Sequence, residues 1–218
     1  MKAQAIIFDM DGVLVDSEPF GFEAMRRVAA RYGLGYSEEE NAEFLGRTTL
    51  DCCRILKDRH GLPDSAETLA DFYIEGMLAQ IGEGPIPMPG VPAVLERVRA
   101  RGYRLALASS AEVRVIHANL TALALAPLFE AVVSGTQVAR GKPAPDVFLA
   151  AADRLAVTPD RCLVIEDSRN GLLAAKAAGM RCAVVPCAHT RHQDFREADH
   201  QLTTLPDLLT LLEGPAAG

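Results

Sequence analysis

Acidic side chains directly follow an apolar segment near the start of this 218-residue chain. Asp9 and Asp11 come after the run 5–8, which is typical of a buried strand, and Gly12 allows a sharp turn behind them. Two carboxylates two positions apart lie on one side of an extended backbone, and they repel each other unless a cation lies beside them. The pattern indicates a cation site or acid–base chemistry at the end of a strand, with a simple polar turn as the alternative.

Three later segments carry polar side chains in comparable positions. They are Ser109 and Ser110 after a second apolar run, Lys142 in a Gly-Lys-Pro turn, and Glu166 and Asp167 after a third apolar run. Taken singly, each could be a helix cap or a solvated turn. Because ligands bind beyond the carboxyl ends of parallel strands, we expect Asp9, Ser109 and Asp167 to lie in one site.

The order of predicted elements indicates an α/β fold with an inserted helical segment. Residues 18–81 show helical periodicity without a convincing strand, and a proline- and glycine-rich stretch at 84–90 ends that pattern. Helices and strands then alternate, which is typical of a parallel sheet with helices on both faces. We predict a Rossmann-like α/β core domain from residues 1–16 and 88–218, and an all-helical cap domain from residues 17–87.

The same patterns place the individual elements. The predicted strands are 5–8, 103–108, 131–134, 162–165 and 181–185, the last of which completes the sheet. The predicted helices are 18–32, one that starts after Ser37 with Glu40 in a capping box, 50–59, 66–81, 91–101, 111–123, 146–155, 171–178 and 206–212. This succession positions the polar groups at strand ends.

Composition favours a globular protein and argues against several classes. Hydrophobic residues make up 49% of the chain, and the net charge of −7 gives no support to nucleic acid or an anionic membrane as a partner. The five cysteines lack the spaced Cys/His pairs of a zinc site and favour reduced thiols. Without a signal-peptide pattern or a segment of transmembrane length, we expect a cytoplasmic protein, with monomer as the default state.

Taken together, the polar groups resemble the four sequence motifs of the haloacid dehalogenase-like hydrolase superfamily, in the family's order. The matching residues are Asp9-Met10-Asp11-Gly12, Ser109, Lys142 and Glu166-Asp167. The resemblance implies that Asp9 is a nucleophile towards phosphorus and that Asp11 is a general acid and then a base. It also implies that Ser109 and the backbone N–H of Ser110 hold phosphate oxygens, and that Lys142 neutralises charge in the transition state and orients Asp9.

Oxygen ligands without neighbouring Cys or His favour Mg²⁺ over zinc. The resemblance implies that Mg²⁺ is held by the carboxylates of Asp9 and Asp167 and the backbone carbonyl of Asp11, with Glu166 supporting it through water. An acid at the position of Asp11 is unusual in the dehalogenases, and transport ATPases carry Thr there. Asp11 therefore favours phosphate-ester hydrolysis or phosphoryl transfer.

The helical insert is similar to the cap of the β-phosphoglucomutase-like subfamily, and Arg47 lies in the segment that resembles its substrate loop. The mutase typically carries His, Lys and Arg where this chain has Gly21, Leu45 and Thr49. We therefore predict a phosphatase of a small phosphorylated metabolite, such as a sugar phosphate or phosphorylated sugar acid, with Arg47 as a substrate-binding residue.

Three alternatives have different sequence requirements. A mutase would need substitutes for the missing polar groups of the cap. A non-catalytic phosphate-binding regulatory protein would not need the complete set of catalytic side chains that this chain has. A nucleotide-binding redox domain would need a Gly-x-Gly-x-x-Gly turn after the first strand, and that turn is missing.

Overall fold

The structure, a computed structural model, describes residues 3–44 and 48–213 and contains a six-stranded parallel sheet. The strands are β1 (Ala5–Phe8), β2 (Arg104–Ser109), β3 (Ala131–Ser134), β4 (Cys162–Glu166), β5 (Arg181–Val184) and β6 (His200–Gln201). Their order across the sheet is β3-β2-β1-β4-β5-β6, and each neighbouring pair is parallel. The predicted parallel α/β core is confirmed.

Helices cover the sheet and form the inserted segment. They are α1 (Glu18–Ala30), α2 (Glu38–Phe44), α3 (Thr49–His60), α4 (Ala66–Glu83), α5 (Val91–Ala100), α6 (Val113–Ala122), α7 (Asp146–Arg154), α8 (Arg169–Ala177) and α9 (Asp207–Glu213). The capping box before α2 is present, because Glu40 N donates to Ser37 Oγ at 3.2 Å and Ser37 N donates to Glu40 Oε2 at 3.1 Å.

Both faces of the sheet are buried, as the apolar strands require. Side chains alternate between the faces, so Ile6 and Phe8 of β1 pack with α5, α6 and α9, whereas Ile7 packs with α7 and α8. The helices α1, α3 and α4 share a separate apolar cluster that includes Val28, Leu56 and Leu69. The inserted helices therefore have a core of their own, and α1 and α4 also contribute residues such as Phe20 and Ile74 to the cluster on one face of the sheet.

The two connections between the inserted helices and the sheet lie side by side. Asp16 N donates to Ile86 O at 2.8 Å, and Met88 N donates to Leu14 O at 3.0 Å. Helix α4 also packs against α6, where Arg114 lies 3.7 Å from Asp71. The inserted segment thus leaves and rejoins the core at one place.

One element of the sheet was not predicted. The expectation that residues 181–185 complete the sheet is wrong, because β6 adds a sixth strand beyond β5. This strand has only two residues, His200 and Gln201, at the sheet edge, so it carries no apolar alternation that a sequence pattern could detect. Within the described ranges, no helix has both the length and the apolar composition needed to cross a membrane.

Candidate active site

Three neighbouring strands bring the predicted site residues together. Strand β1 lies between β2 and β4, and Phe8 is paired with Leu107 on one side and Ile165 on the other. Asp9, the next residue, donates its backbone N–H to Ile165 O at 2.9 Å. Its side chain therefore lies beside Glu166, which ends β4, at the carboxyl edge where ligands bind in such sheets.

Lys142 links two of these acids. Its ammonium group donates to Asp9 Oδ1 at 2.6 Å and to Glu166 Oε1 at 2.7 Å, and it also reaches Ala108 O at 3.3 Å. Its side chain is 6% exposed and that of Glu166 is 1% exposed, so these charge-assisted bonds are shielded from water. Burial alone would lower the pKa of Lys142, but the charges of Asp9 and Glu166 outweigh burial and raise it, so the amine stays protonated.

Asp11 lies opposite the end of β2. Ser109 Oγ donates to Asp11 Oδ2 at 3.2 Å while it accepts from Ala111 N at 3.0 Å, so its proton is directed at the carboxylate. Burial raises the pKa of Asp11, and hydrogen bonds from Ser17 and Ser109 oppose that rise. A carboxyl group with a raised pKa is suited to proton transfer near neutral pH.

Two further predicted phosphate or substrate contacts are Ser110 and Arg47. Ser110 is exposed, and its hydroxyl makes no hydrogen bond within the part of the chain that the structure describes. Arg47, together with Leu45, lies outside the described residues.

The acids form a cluster that suits a hard divalent cation. One carboxylate oxygen from each of Asp9, Glu166 and Asp167 lies within 4.8 Å of the others, and all three residues are buried. Burial raises the pKa of Asp9 despite the opposing charge of Lys142, and the charge of Glu166 adds to the rise. Burial and then the charge of Glu166 raise the pKa of Asp167 to about 7. Crowded like charges with oxygen donors match the ligand preference of Mg²⁺.

Glu166 is fixed by the start of helix α8. Its Oε2 accepts hydrogen bonds of 2.9 Å from Asp167 N, Ser168 N and Ser168 Oγ. A Cβ at Gly171 would lie 1.6 Å from Glu166 Oε1, so only glycine leaves room for this carboxylate. Sequence reasoning missed Gly171 because a glycine one turn into a helix gives no sign of what packs against it.

Gly12 packs against the carboxylate of Asp167. Its φ is +74°, a left-handed conformation that favours glycine, and an added Cβ would lie 2.3 Å from Asp167 Oδ2. The turn after β1 therefore packs directly against the acid that follows β4.

Gly12→Ala should displace the Asp167 carboxylate. Left-handed backbone costs an alanine about 1–2 kcal/mol, and the added methyl group should also weaken Mg²⁺ binding by roughly tenfold, the size typical of a disturbed ligand environment. Chemical denaturation and calorimetric Mg²⁺ titration measure the two effects. Gly33→Ala is the matched control, because Gly33 has φ +72° with nothing within 4 Å of an added Cβ. Gly33→Ala should lower the stability of the protein without changing its Mg²⁺ affinity. Equal Mg²⁺ affinities in the two variants would contradict the prediction.

Sequence reasoning missed Tyr73 of helix α4. Its hydroxyl lies 3.0 Å from the position that a Cβ on Gly21 would take. Burial raises the pKa of Tyr73, and the charges of Asp11 and Glu18 add to the rise. A tyrosine in a helix with apolar periodicity is typical of a core position. The amino-acid sequence therefore gave no sign that Tyr73 lies near Gly21.

Two further missed side chains lie in the loop after β5. Cys187 Sγ and Thr190 Oγ1 each donate to Asp167 Oδ2 at 3.2 Å. They follow the last strand that the sequence predicted, and neither belongs to a recognisable motif. The contact depends on how this loop folds back over the sheet edge.

Comparisons with known proteins identify the family of the chain and similar solved structures. A family model described as "Haloacid dehalogenase-like hydrolase" matches residues 6–185. The phosphorylated carbohydrates phosphatase of Thermotoga maritima is 40% identical over 177 residues, which cover 81% of this chain and 82% of that protein. CbbY from Rhodobacter sphaeroides in complex with phosphate is 32% identical, with a TM-score of 0.89 over 97% of this chain and 99% of that one. A mutant of the same protein in complex with xylulose-(1,5)bisphosphate is 32% identical, with a TM-score of 0.87 over 94% and 96% of the two chains.

Proposed function

Because this chain belongs to the haloacid dehalogenase-like hydrolases and is a phosphoric monoester hydrolase of their phosphoglucomutase-like subfamily, we propose that it dephosphorylates a small phosphorylated sugar or sugar acid, with Mg²⁺ and through an aspartyl-phosphate. The observation that carries the proposal is the buried Asp9–Lys142 pair at 2.6 Å, beside Asp11 and Ser109. The substrate class is supported by the name of the Thermotoga relative and by the sugar bisphosphate bound to CbbY.

In the first step, an Asp9 carboxylate oxygen attacks phosphorus and the bond to the leaving alkoxide breaks. Asp11 gives its proton to that alkoxide, so the sugar leaves as a neutral alcohol. Lys142 and Ser109 stabilise the charge on the phosphoryl oxygens. Lys142 has a second effect, since its bond to Oδ1 fixes the orientation of the Asp9 carboxylate.

In the second step, water attacks the phosphorus of the aspartyl-phosphate. Asp11, now ionised, takes the proton of that water, and the bond between phosphorus and Asp9 breaks. Inorganic phosphate leaves, Asp9 is a carboxylate again, and Asp11 is protonated for the next cycle. The single carboxyl group of Asp11 thus serves as acid and then as base, which a raised pKa favours.

The groups that would hold Mg²⁺ are the carboxylates of Asp9 and Asp167 and the backbone carbonyl of Asp11. Glu166 would support the cation through water. When bound, the cation offsets the negative charge that the acids and the phosphate bring together. Three buried carboxylates within 4.8 Å of one another support this assignment, as does the pKa of Asp167, which their crowding helps to raise.

A phosphatase fits the inserted segment better than a mutase. The mutase's cap histidine corresponds to Gly21, and the Tyr73 hydroxyl lies 3.0 Å from the position that a Cβ at Gly21 would take, so a larger side chain there would be crowded. Thr49 replaces a cationic residue of the mutase at the start of α3. The groups that would hold and reposition a sugar bisphosphate are thus replaced by smaller or differently placed ones.

Two parts of the chain would have different functions in this reaction. Residues 1–16 and 88–218 form the core that performs the phosphoryl chemistry, and residues 17–87 form a cap that closes over the site and shields the aspartyl-phosphate from stray water. Arg47 would bind a second anionic group of the substrate, because a guanidinium suits carboxylate or phosphate oxygens.

Purified protein with Mg²⁺ should release inorganic phosphate from members of a panel of phosphorylated sugars and sugar acids. Excess chelator should abolish the release, and Ca²⁺ should inhibit it, because its higher and looser coordination misplaces Asp9. Colorimetric phosphate detection measures both effects. Full activity in chelator would refute the Mg²⁺ requirement, and faster isomerisation of β-glucose 1-phosphate than phosphate release would favour the mutase.

A further inference from the structure

The loop that follows β5 packs against the acid that follows β4. Cys187 and Thr190 lie in this loop, and each donates a 3.2 Å hydrogen bond to the same oxygen of Asp167, Oδ2. Within the described residues, every hydrogen bond donated to the Asp167 side chain ends on this oxygen. The loop therefore holds Oδ2 of Asp167, and Oδ1 remains available to a ligand such as a divalent cation.

The local turn directs the Thr190 proton at Asp167. Cys187 N donates to Thr190 Oγ1 at 3.1 Å, and the backbone of the turn closes with Thr190 N donating to Cys187 O at 3.2 Å. Since the hydroxyl oxygen already accepts from a backbone N–H, its one proton is free to point at Asp167 Oδ2. The hydroxyl is thus oriented by the fold before any ligand arrives.

The loop is also attached to the helix that starts beside Asp167. Arg169 N donates to Gln193 Oε1 at 2.7 Å, and Arg169 Nη1 donates to Asp194 O at 2.8 Å. Arg169 is the first residue of α8 and is separated from Asp167 only by Ser168. These bonds fix the distance between the two donors and the carboxylate that they contact.

A third contact closes the remaining side of the carboxylate. The Cα of Gly12 lies so near that an added Cβ would be 2.3 Å from Asp167 Oδ2. Gly12 and the Cys187–Thr190 turn thus both lie against Oδ2 of Asp167 and restrict the positions that the carboxylate can take. Partners that orient a metal-binding carboxylate commonly affect metal affinity by about 10- to 100-fold.

We propose that Cys187 and Thr190 are positioning residues that hold Asp167 in the orientation in which it binds the divalent cation. This inference rests on the Mg²⁺ requirement of the proposed function. It assigns a role to two residues that do not touch the substrate and that lie outside the four motifs. Thr190 contributes more than Cys187 to the orientation of the Asp167 carboxylate, because a hydroxyl is a stronger hydrogen-bond donor than a thiol.

Calorimetric titration of the metal-free protein with Mg²⁺ tests the inference without relying on turnover. Thr190→Val removes the donor at nearly constant volume and should raise the Mg²⁺ dissociation constant by about tenfold. Cys187→Ala should raise it less, and the double variant more than either. Thr190→Ser and Cys187→Ser retain a hydroxyl and should bind Mg²⁺ as the wild type does. Thr204→Val makes the same change at an exposed position that follows β6, and it is the matched control.

Two further readouts separate positioning from a merely structural role. At saturating Mg²⁺ the kcat of Thr190→Val should return towards the wild-type value, whereas the Mg²⁺ concentration for half-maximal rate should remain shifted. Thermal unfolding in chelator should be the same for Thr190→Val and Thr204→Val. Unchanged Mg²⁺ affinity in the double variant, or a loss of affinity that Thr190→Ser shares, would overturn the inference. A wild-type protein that binds no Mg²⁺ would instead overturn the proposed function on which it rests.

Discussion

Asp9→Asn is expected to abolish phosphate release and to leave the protein folded. The amide cannot attack phosphorus, and loss of a nucleophile typically costs a factor on the order of 10⁴ to 10⁶ in turnover. The fold should survive because the side chain keeps its shape and Lys142 keeps its bond to Glu166 at 2.7 Å. Burial raises the pKa of Asp9, so the neutral amide is also easier to bury than the carboxylate.

Steady-state phosphate release and thermal unfolding test this prediction. Mass spectrometry after an acid quench adds a direct readout, because the wild type should carry a phosphoryl group on the peptide that contains Asp9 and the variant should not. Asp160→Asn makes the same chemical change at an exposed position before β4 and should retain full activity. Turnover by Asp9→Asn within about tenfold of the wild type, equivalent to roughly 1.4 kcal/mol, would remove Asp9 as the nucleophile.

Lys142→Met should lose both activity and stability, unlike Asp9→Asn. The methionine leaves Asp9 and Glu166 buried without the cation that contacts both of them. Removal of one partner from a buried ion pair costs about 3–5 kcal/mol. Activity should fall by about 10²- to 10³-fold, because an electrostatic contact to the phosphoryl oxygens disappears together with the group that orients the nucleophile.

A double variant distinguishes the two effects of Lys142. Lys142→Met combined with Glu166→Gln removes one of the unpaired charges, so it should recover part of the stability and none of the activity. The matched control is Lys176→Met, which breaks a partly exposed pair with Asp199 at 2.9 Å and should cost at most about 1 kcal/mol. If Lys142→Met unfolds at the same denaturant concentration as the wild type, the buried ion pairs do not contribute to stability as described.

Local patterns were sufficient to predict five of the six strands and the sheet edge at which the candidate site lies. An apolar run fixes a buried strand, and strand ends in a parallel sheet meet at one edge, so Asp9, Ser109 and Glu166 were found without knowledge of any contact. Strand β6 was missed because two polar residues at a sheet edge carry no periodic signal. The family membership predicted from the motifs is confirmed, whereas the individual roles of the site residues stay predictions.

Contacts between distant loops were not accessible from sequence. Thr190 and Asp167 are far apart along the chain, and their contact depends on where the loop after β5 is anchored, at Arg169. Tyr73 lies beside Gly21 of α1 only because α4 packs against α1. In both cases the amino-acid type is common, and only tertiary packing gives it a place beside the site.

The paired connections at 14–16 and 86–88 have a consequence for how this fold diversifies. Because the inserted helices leave and return at adjacent points, another segment could be joined at the same two connections without a change in the strand order. Part of the apolar packing of the inserted helices is internal, but α1 and α4 also contribute Phe20, Ala24, Ile74, Met77 and Ile81 to the cluster on one face of the sheet, so a replacement must cover that face as well. On the proposed function, a change of segment at this junction would alter substrate selection and leave the phosphoryl chemistry at the sheet edge constant.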